Sequence, residues 1–261
     1  MTQQERRIFL ITALLKEEPE YKDMDIPKNT SEQKRLLRTL FNLRMPKKAG
    51  KDFIQIQDEY LREEIAGKGI TDYGSIAPLK EGIYLWRGDI TTLRCDAIVN
   101  AANSQMLGCF CPCHGCIDNA IHTYAGIELR FACAQLMNEQ QCGESTGKAK
   151  ITLAYNLPGK YVIHTVGPIV RGKLTKNDEE QLSSCYTSCL ELAEKNNVKS
   201  IVKSIAFCCI STGEFHFPND KAAKIAVDTV QEYKKKTNSK IEVIFNVFKQ
   251  IDYEIYRELL G

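Results

Sequence analysis

Two textures of apolar and polar residues divide the chain. Over residues 1 to 76 the apolar positions recur at helical spacing. RRIFLITALLKEE reads as one amphipathic helix. NTSEQKRLLRTLFNLRM reads as a second, with Asn29, Thr30 or Ser31 as N-cap and Leu36, Leu37, Leu40, Phe41 and Leu43 as its apolar positions. KDFIQIQDEYLREEIAGKG reads as a third, ending at Gly67 or Gly69. The stretch TDYGSIAPLKEG, rich in Gly, Pro and Ser, reads as a linker. The expected division is a helical extension over 1–76 and a second domain over 77–261.

From Gly82 onward the period changes. IYLWRG, DAIVNAA, KAKITLAYN, KYVIHTV, KSIAFCCIS and KIEVIFNVF read as strands. Between and after them, IDNAIHTYAGIELRFACAQLMNEQ, DEEQLSSCYTSCLELAEKNN, PNDKAAKIAVDTVQEYKKK and QIDYEIYRELL read as helices. Alternation of this kind predicts an α/β fold with a mostly parallel sheet covered on both faces. Such sheets bind ligands beyond the carboxyl ends of their strands. The loops to inspect are therefore RGDI, NAANSQMLGCFCPCHGCID and ISTGEFHFP, each of which follows a strand.

Composition removes some classes of function. Hydrophobic residues make up 43% of the 261, charged residues 26%, and the formal net charge is +2. That balance argues for no nucleic-acid or membrane-surface partner. The apolar run Ile8 to Leu15 is short and runs into acidic residues, so it reads as a helix rather than a signal peptide. No stretch approaches the roughly 18 apolar residues of a membrane span. The expectation is a cytoplasmic monomer. Eleven cysteines, an odd number, fit a reducing compartment better than a disulfide framework.

Four of those cysteines fall between Cys109 and Cys116, beside His114. Thiolates and an imidazole at this spacing are good zinc ligands. Three readings stay open: a zinc with an open coordination position, a closed structural zinc with Cys111 or Cys113 as fourth ligand, and a cluster of free thiols. Asp118 and Asn119 begin the long helix, where an aspartate is either a cap or a functional carboxylate. Ser211, Thr212, Gly213, Glu214 and Phe215 form a strand-to-helix loop that either cradles phosphate or simply turns tightly. Asp89 ends the first strand and can accept from an exocyclic amine or cap the surface. Asn100 and Asn103, which flank two alanines, read as amides that satisfy loop backbone. His122 reads as packed and hydrogen-bonded, and His164 as a core residue. His216 sits in the ligand-side loop.

Taken in order, GDIT, DAIVNAAN, DNAIH, IHTVGP, ISTGEFHFP and VIFNVF resemble the macrodomain family across residues 82 to 261. The resemblance implies a three-layer α/β/α fold with a mixed, mostly parallel central sheet. GCFCPCHGCIDNAIH further resembles the zinc-dependent, sirtuin-operon-associated bacterial macrodomains. For these the implied metal ligands are Cys109, His114 and Cys116, with Cys111 and Cys113 at variable positions. The helical N-terminal extension is also typical of that subgroup.

The same resemblance implies the remaining roles. Asp89 would receive the adenine amine, with Ile90 contributing backbone. Asn103 would contact the ribose nearer the substrate bond, and Ile117 and Asp118 would border the pyrophosphate and that ribose. Ser211, Thr212, Gly213, Glu214 and Phe215 would wrap the phosphates, and Asn246 and Phe248 would line the adenine pocket. His216 replaces a common Gly, at the cost of strain if its φ is positive. The implied activity is zinc-dependent removal of mono-ADP-ribose from Asp or Glu esters on proteins, with Asp118, Asn103 and Cys116 at the reacting bond. Its implied partner is an ADP-ribosylated protein, such as a lipoyl-carrier protein modified by a sirtuin-like transferase. The rival expectations are a non-catalytic reader of ADP-ribose with a structural zinc, and an interaction protein whose N-terminal helices do the work.

Overall fold

The computed structural model describes residues 1–195 and 202–261. Three helices come first: α1 (Gln3–Glu17), α2 (Thr30–Leu43) and α3 (Lys51–Lys68). A capping box starts α1, with Thr2 Oγ1 accepting from the Glu5 amide and the Glu5 carboxylate accepting from the Thr2 amide. Asn29 caps α2 by accepting from the amides of Ser31 and Glu32. Gly69, at φ 85°, follows the last turn of α3, a conformation that favours glycine. Leu10, Ile11, Leu14, Leu15, Leu37, Leu40, Phe41, Phe53, Tyr60 and Leu61 close a small core of their own among the three helices.

The rest of the chain runs β1 (Thr71–Asp72), β2 (Ile83–Arg87), β3 (Leu93–Arg94), β4 (Ala97–Ala102), α4 (Ile117–Ala125), α5 (Ile127–Gln140), β5 (Ala149–Leu153) and β6 (Tyr161–Val166). It continues through α6 (Lys176–Glu194), β7 (Ser204–Phe207), α7 (Asn219–Thr237), β8 (Glu242–Val247) and α8 (Gln250–Leu260). Six strands form one sheet in the order β2-β8-β7-β4-β6-β5. All neighbours are parallel except β5 and β6, so the sheet is mixed and mostly parallel, as the motif order implies. Helices cover it, and β4, β6 and β7 are apolar nearly throughout because neither face meets water.

Three expectations need correction. The helix expected over 117–140 is two helices, broken at Gly126, which has φ 97°. Gln57 of α3 fills the space a side chain would need there and accepts a hydrogen bond from the Ile127 amide at 2.9 Å. The stretch expected to be a linker contains β1, which pairs in parallel with β3, followed by a 3-10 turn over Tyr73–Ser75. The helix expected over 178–197 starts two residues earlier, as α6, and the last residues of that expectation, Asn196 and Asn197, lie outside the described residues.

The helical core and the sheet core interlock. Ile65 of α3 packs in the sheet core, and Ile127 of α5 packs in the helical core. The N-terminal helices are thereby held against the edge of the cleft that opens above the carboxyl ends of β2, β4, β7 and β8. Among the described residues, no helix is long and apolar enough to cross a membrane.

Candidate functional site

A cleft of about 710 Å³ lies at the carboxyl ends of these strands. It is lined by Asp89, Ile90, Asn103, Cys109, His114, Cys116, Ile117, Asp118, Ser211, Thr212, Gly213, Glu214, Phe215, Asn246 and Phe248. Every residue that the resemblance assigns to the metal or the nucleotide therefore borders one space, which is what loops leaving adjacent parallel strands do.

Asp89 follows β2 and starts a short 3-10 turn. Its Oδ1 accepts from the amide and hydroxyl of Thr91 at 3.0 and 2.6 Å, and its Oδ2 pairs with Lys68 at 2.8 Å. Burial opposes its ionisation, but Lys68 and Thr91 outweigh that and hold the carboxyl below its ordinary value. Asn246, at the end of β8, donates to Gly88 O at 3.0 Å, while Phe248 is 77% exposed at the mouth of the cleft.

The loop from β4 to α4 brings the candidate metal ligands together. Met106, Gly108 and Cys113 all take positive φ, and Gly108 must be glycine because a Cβ would lie 2.7 Å from the His122 ring. Asn103 holds this loop, donating to Gly108 O at 3.2 Å and accepting from the Gln105 amide at 3.0 Å. At the end of the loop Cys116 is the N-cap of α4, its sulfur accepting from the Asn119 amide at 3.4 Å. The ligand atoms of Cys109, His114 and Cys116 all lie within 4.8 Å of one another, with Cys109 Sγ 3.7 Å from His114 Nδ1. The sulfur–nitrogen edge of a tetrahedral zinc site is about 3.6 Å. Burial, reinforced by Cys109 and Asp118, pushes the Cys116 thiol up to about 12 against the pull of the Asn119 amide, so its thiolate wants a cation. The donor set fits zinc in both spacing and chemistry. The far nitrogen of His114 faces Glu214 across the cleft at 3.6 Å.

Asp118 is not the cap. It is 5% exposed, and its Oδ1 accepts from Asn100 Nδ2 at 2.8 Å. Burial raises its carboxyl to about 6, with Asn100 and the charge of Arg130 pulling the other way. Asn100 differs from expectation in its partners: its amide serves Asp118 rather than loop backbone, and also contacts His164 Nδ1 at 3.2 Å. His164 is a core residue, as read, held by Thr152 at 2.9 Å. His122 is packed, but its ring nitrogens have no hydrogen-bond partner among the described residues; Nε2 lies 3.5 Å from Asp118. Burial, helped by His164 and Arg130, keeps that ring neutral.

In the loop after β7, Ser211 and His216 both have positive φ, so the histidine carries the strain its position implies. Ser211 O accepts from Phe217, and Gly213 O accepts from His216. The amides of Gly213, Glu214 and Phe215 have no backbone acceptor among the described residues. Unpaired amides beside the N-terminus of α4 make a surface suited to an anion.

Some lining residues carried no sequence signal. Arg38 of α2 and Lys68 of α3 enter from the N-terminal helices, Tyr124 from α4, and Lys249 and Asp252 from the N-cap and first turn of α8. Lys68 also stands over the Tyr124 ring, 3.5 Å from its centroid. Arg38 and Lys68 belong to no motif, because their role comes only from how the helices dock.

Known proteins share this architecture. The Macro domain family matches residues 99–226. A protein-ADP-ribose hydrolase of Treponema medium is 56% identical over 265 residues, covering 100% of both chains. One from Staphylococcus aureus (strain MSSA476) is 44% identical over 252 residues, covering 96% of this chain and 93% of its own. The crystal structure of a Trypanosoma brucei macrodomain in complex with ADP-ribose superposes with TM-score 0.66 at 30% identity, covering 86% of this chain and 95% of that one. Full-length identity of this order, together with the family match and that superposition, means that the chain belongs to the macrodomain family.

Proposed function

We propose that this protein is a hydrolase that releases ADP-ribose from modified protein side chains, with a zinc held by Cys109, His114 and Cys116. One observation carries the proposal: the three candidate ligand atoms, the carboxylate of Asp118 and the unpaired amides of the loop after β7 all face one cleft. Relatives along the whole chain length named protein-ADP-ribose hydrolase support it.

In this reading Asp89 accepts the adenine amine, and Phe248 packs on the base. The free N–H groups of α4 at Ile117 and Asp118, with those of Gly213, Glu214 and Phe215, hold the pyrophosphate, so the ribose carrying the protein link lies by Asp118. Fixing both ends of a long nucleotide makes the attack effectively intramolecular. Asn100 locks Oδ1 of Asp118, leaving the rest of the carboxylate to accept the ribose hydroxyl or the water and so orient it. Asn103 keeps the loop shaped around that ribose. When bound, zinc supplies Lewis acidity at the link between sugar and protein. An Asp or Glu ester is the bond that such a site suits, and a lipoyl-carrier protein modified by a sirtuin-like transferase is the substrate that the sequence resemblance implies.

The test is release of free ADP-ribose from a protein ADP-ribosylated on acidic residues. The full chain should release it, should stop when stripped by a strong chelator, and should recover with added zinc. Cys116→Ala should be inactive. Cleavage at the normal rate by zinc-stripped protein would refute the metal's role, and binding without release would make the protein a reader.

A further inference from the structure

The metal loop has a second set of contacts, on the side turned toward the N-terminal helices. Arg38 of α2 donates from Nε and Nη2 to Asn119 Oδ1 at 3.1 and 2.7 Å, and from Nη2 to the His114 carbonyl at 2.9 Å. Asn119 passes this hold on. Its Nδ2 donates to Cys111 O at 3.0 Å, and its backbone amide to Cys116 Sγ at 3.4 Å. One turn along α2, Asn42 Oδ1 accepts from the Cys113 amide at 2.9 Å. Arg130 joins the other end of the loop to the same helix, donating to Leu107 O at 2.7 Å and to Asn42 O at 2.8 Å.

A segment with positive φ at Met106, Gly108 and Cys113 and no regular structure of its own does not hold such a shape unaided. We infer that Arg38 is a positioning residue for the metal loop, and that α2 serves to set His114 and Cys116 in place before metal arrives. The inference rests on the reading that Cys109, His114 and Cys116 hold zinc. Its chemistry depends on the guanidinium. A planar fork with several N–H groups reaches a carbonyl and an amide oxygen together, whereas an ammonium offers a single point charge. Arg38 touches the backbone of one ligand and, through Asn119, the sulfur of another. Loss of it frees both, so metal affinity falls although no ligand has been removed.

The experiment uses the full chain and zinc alone, with affinity read by competition against a chromogenic chelator. Hydrogen exchange of residues 109–116 is read in the metal-free protein. Wild type should take up one zinc. Arg38→Ala and Arg38→Lys should each bind it about 10- to 100-fold more weakly. Exchange in the loop should be faster, and the melting temperature of the metal-free protein unchanged. Arg35→Ala, on the same helix, should match wild type. If Arg38→Ala loses its cooperative melt, Arg38→Lys carries the test on the same criteria. Zinc binding by either variant as tight as wild type overturns the inference and leaves the zinc reading standing. A wild-type chain that takes up no zinc overturns both.

Discussion

Gly167 has room for a hydrogen atom and nothing larger. A Cβ there would lie 2.1 Å from Ser211 Oγ and 2.9 Å from Ile210 Cγ2, so the strand-end glycine of β6 is what lets the loop after β7 lie close. Gly167→Ala should displace that loop and weaken ADP-ribose binding at least about tenfold by calorimetry, since a backbone cradle works only at its own geometry. An unchanged affinity would remove the loop from the binding surface. Asp118→Asn keeps the shape of the side chain and removes its charge. It should lower the hydrolysis rate by about 100-fold or more while ADP-ribose still binds, as expected for a group that orients the reacting atoms. At this scale the candidates were legible because a strand-end loop keeps its functional residues adjacent in sequence. Asn100 was expected to satisfy loop backbone because nothing in DAIVNAAN shows that the partner of its amide, Asp118, is contributed by another element.

Elements are set by contacts that cross long stretches of chain. The apolar spacing from Ile117 to Gln140 continues across Gly126 without a gap, so periodicity alone cannot show the break. Gln57, far away in α3, imposes it. Gly126→Ala combines a left-handed φ with that clash and should cost about 1–3 kcal/mol, read as a lower denaturation midpoint. The start of β4 is tied in a similar way. The carboxylate of Asp96 accepts from the amides of Lys203 and Ser204 at 2.8 and 3.2 Å and pairs with Lys160 at 2.6 Å, which joins β4 to the starts of β7 and β6. Burial resists the charge, but Lys160 and the Lys203 amide prevail and depress the carboxyl's pKa. A depressed carboxyl stabilises the fold above its unfolded pKa, and the contribution is lost as pH falls through the lower folded value. Asp96→Asn should therefore destabilise by about 1–2 kcal/mol at pH 7, and the gap from wild type should narrow below about pH 4. A gap that stays constant with pH would mean that the charge is irrelevant. The alternation of strands and helices was readable because the central strands β4, β6 and β7 are short, nearly continuous apolar runs between longer stretches of helical period. The pairing of β1 with β3 was not, since two residues carry no period.

For the molecule as a whole, the N-terminal helices are part of the cleft rather than an appendage, through Ile65, Arg38 and Lys68. Apolar spacing predicted helices there but had no means of saying where they dock. A ligand that binds only the folded state stabilises by an amount that grows with its concentration, about 4 kcal/mol at a thousand times Kd. Added zinc should accordingly raise the melting temperature of chelated protein by several degrees, and Cys109→Ser should abolish the response. An equal response in the variant would place the metal elsewhere.

The distribution of sulfur has one more outcome. Cys95, Cys133, Cys185, Cys189 and Cys208 are sealed in the interior, and burial pushes their thiols up, as it does for Cys209. Cys111 and Cys142 are exposed, and Cys109, Cys113 and Cys116 are partly open. An alkylating reagent applied to the native chain thus meets the loop from Cys109 to Cys116 and the surface position Cys142, while the five sealed cysteines stay untouched until the protein unfolds. Mass counting of alkyl groups becomes a map of that loop, with Cys142 as a built-in reference that occupancy of the loop does not alter.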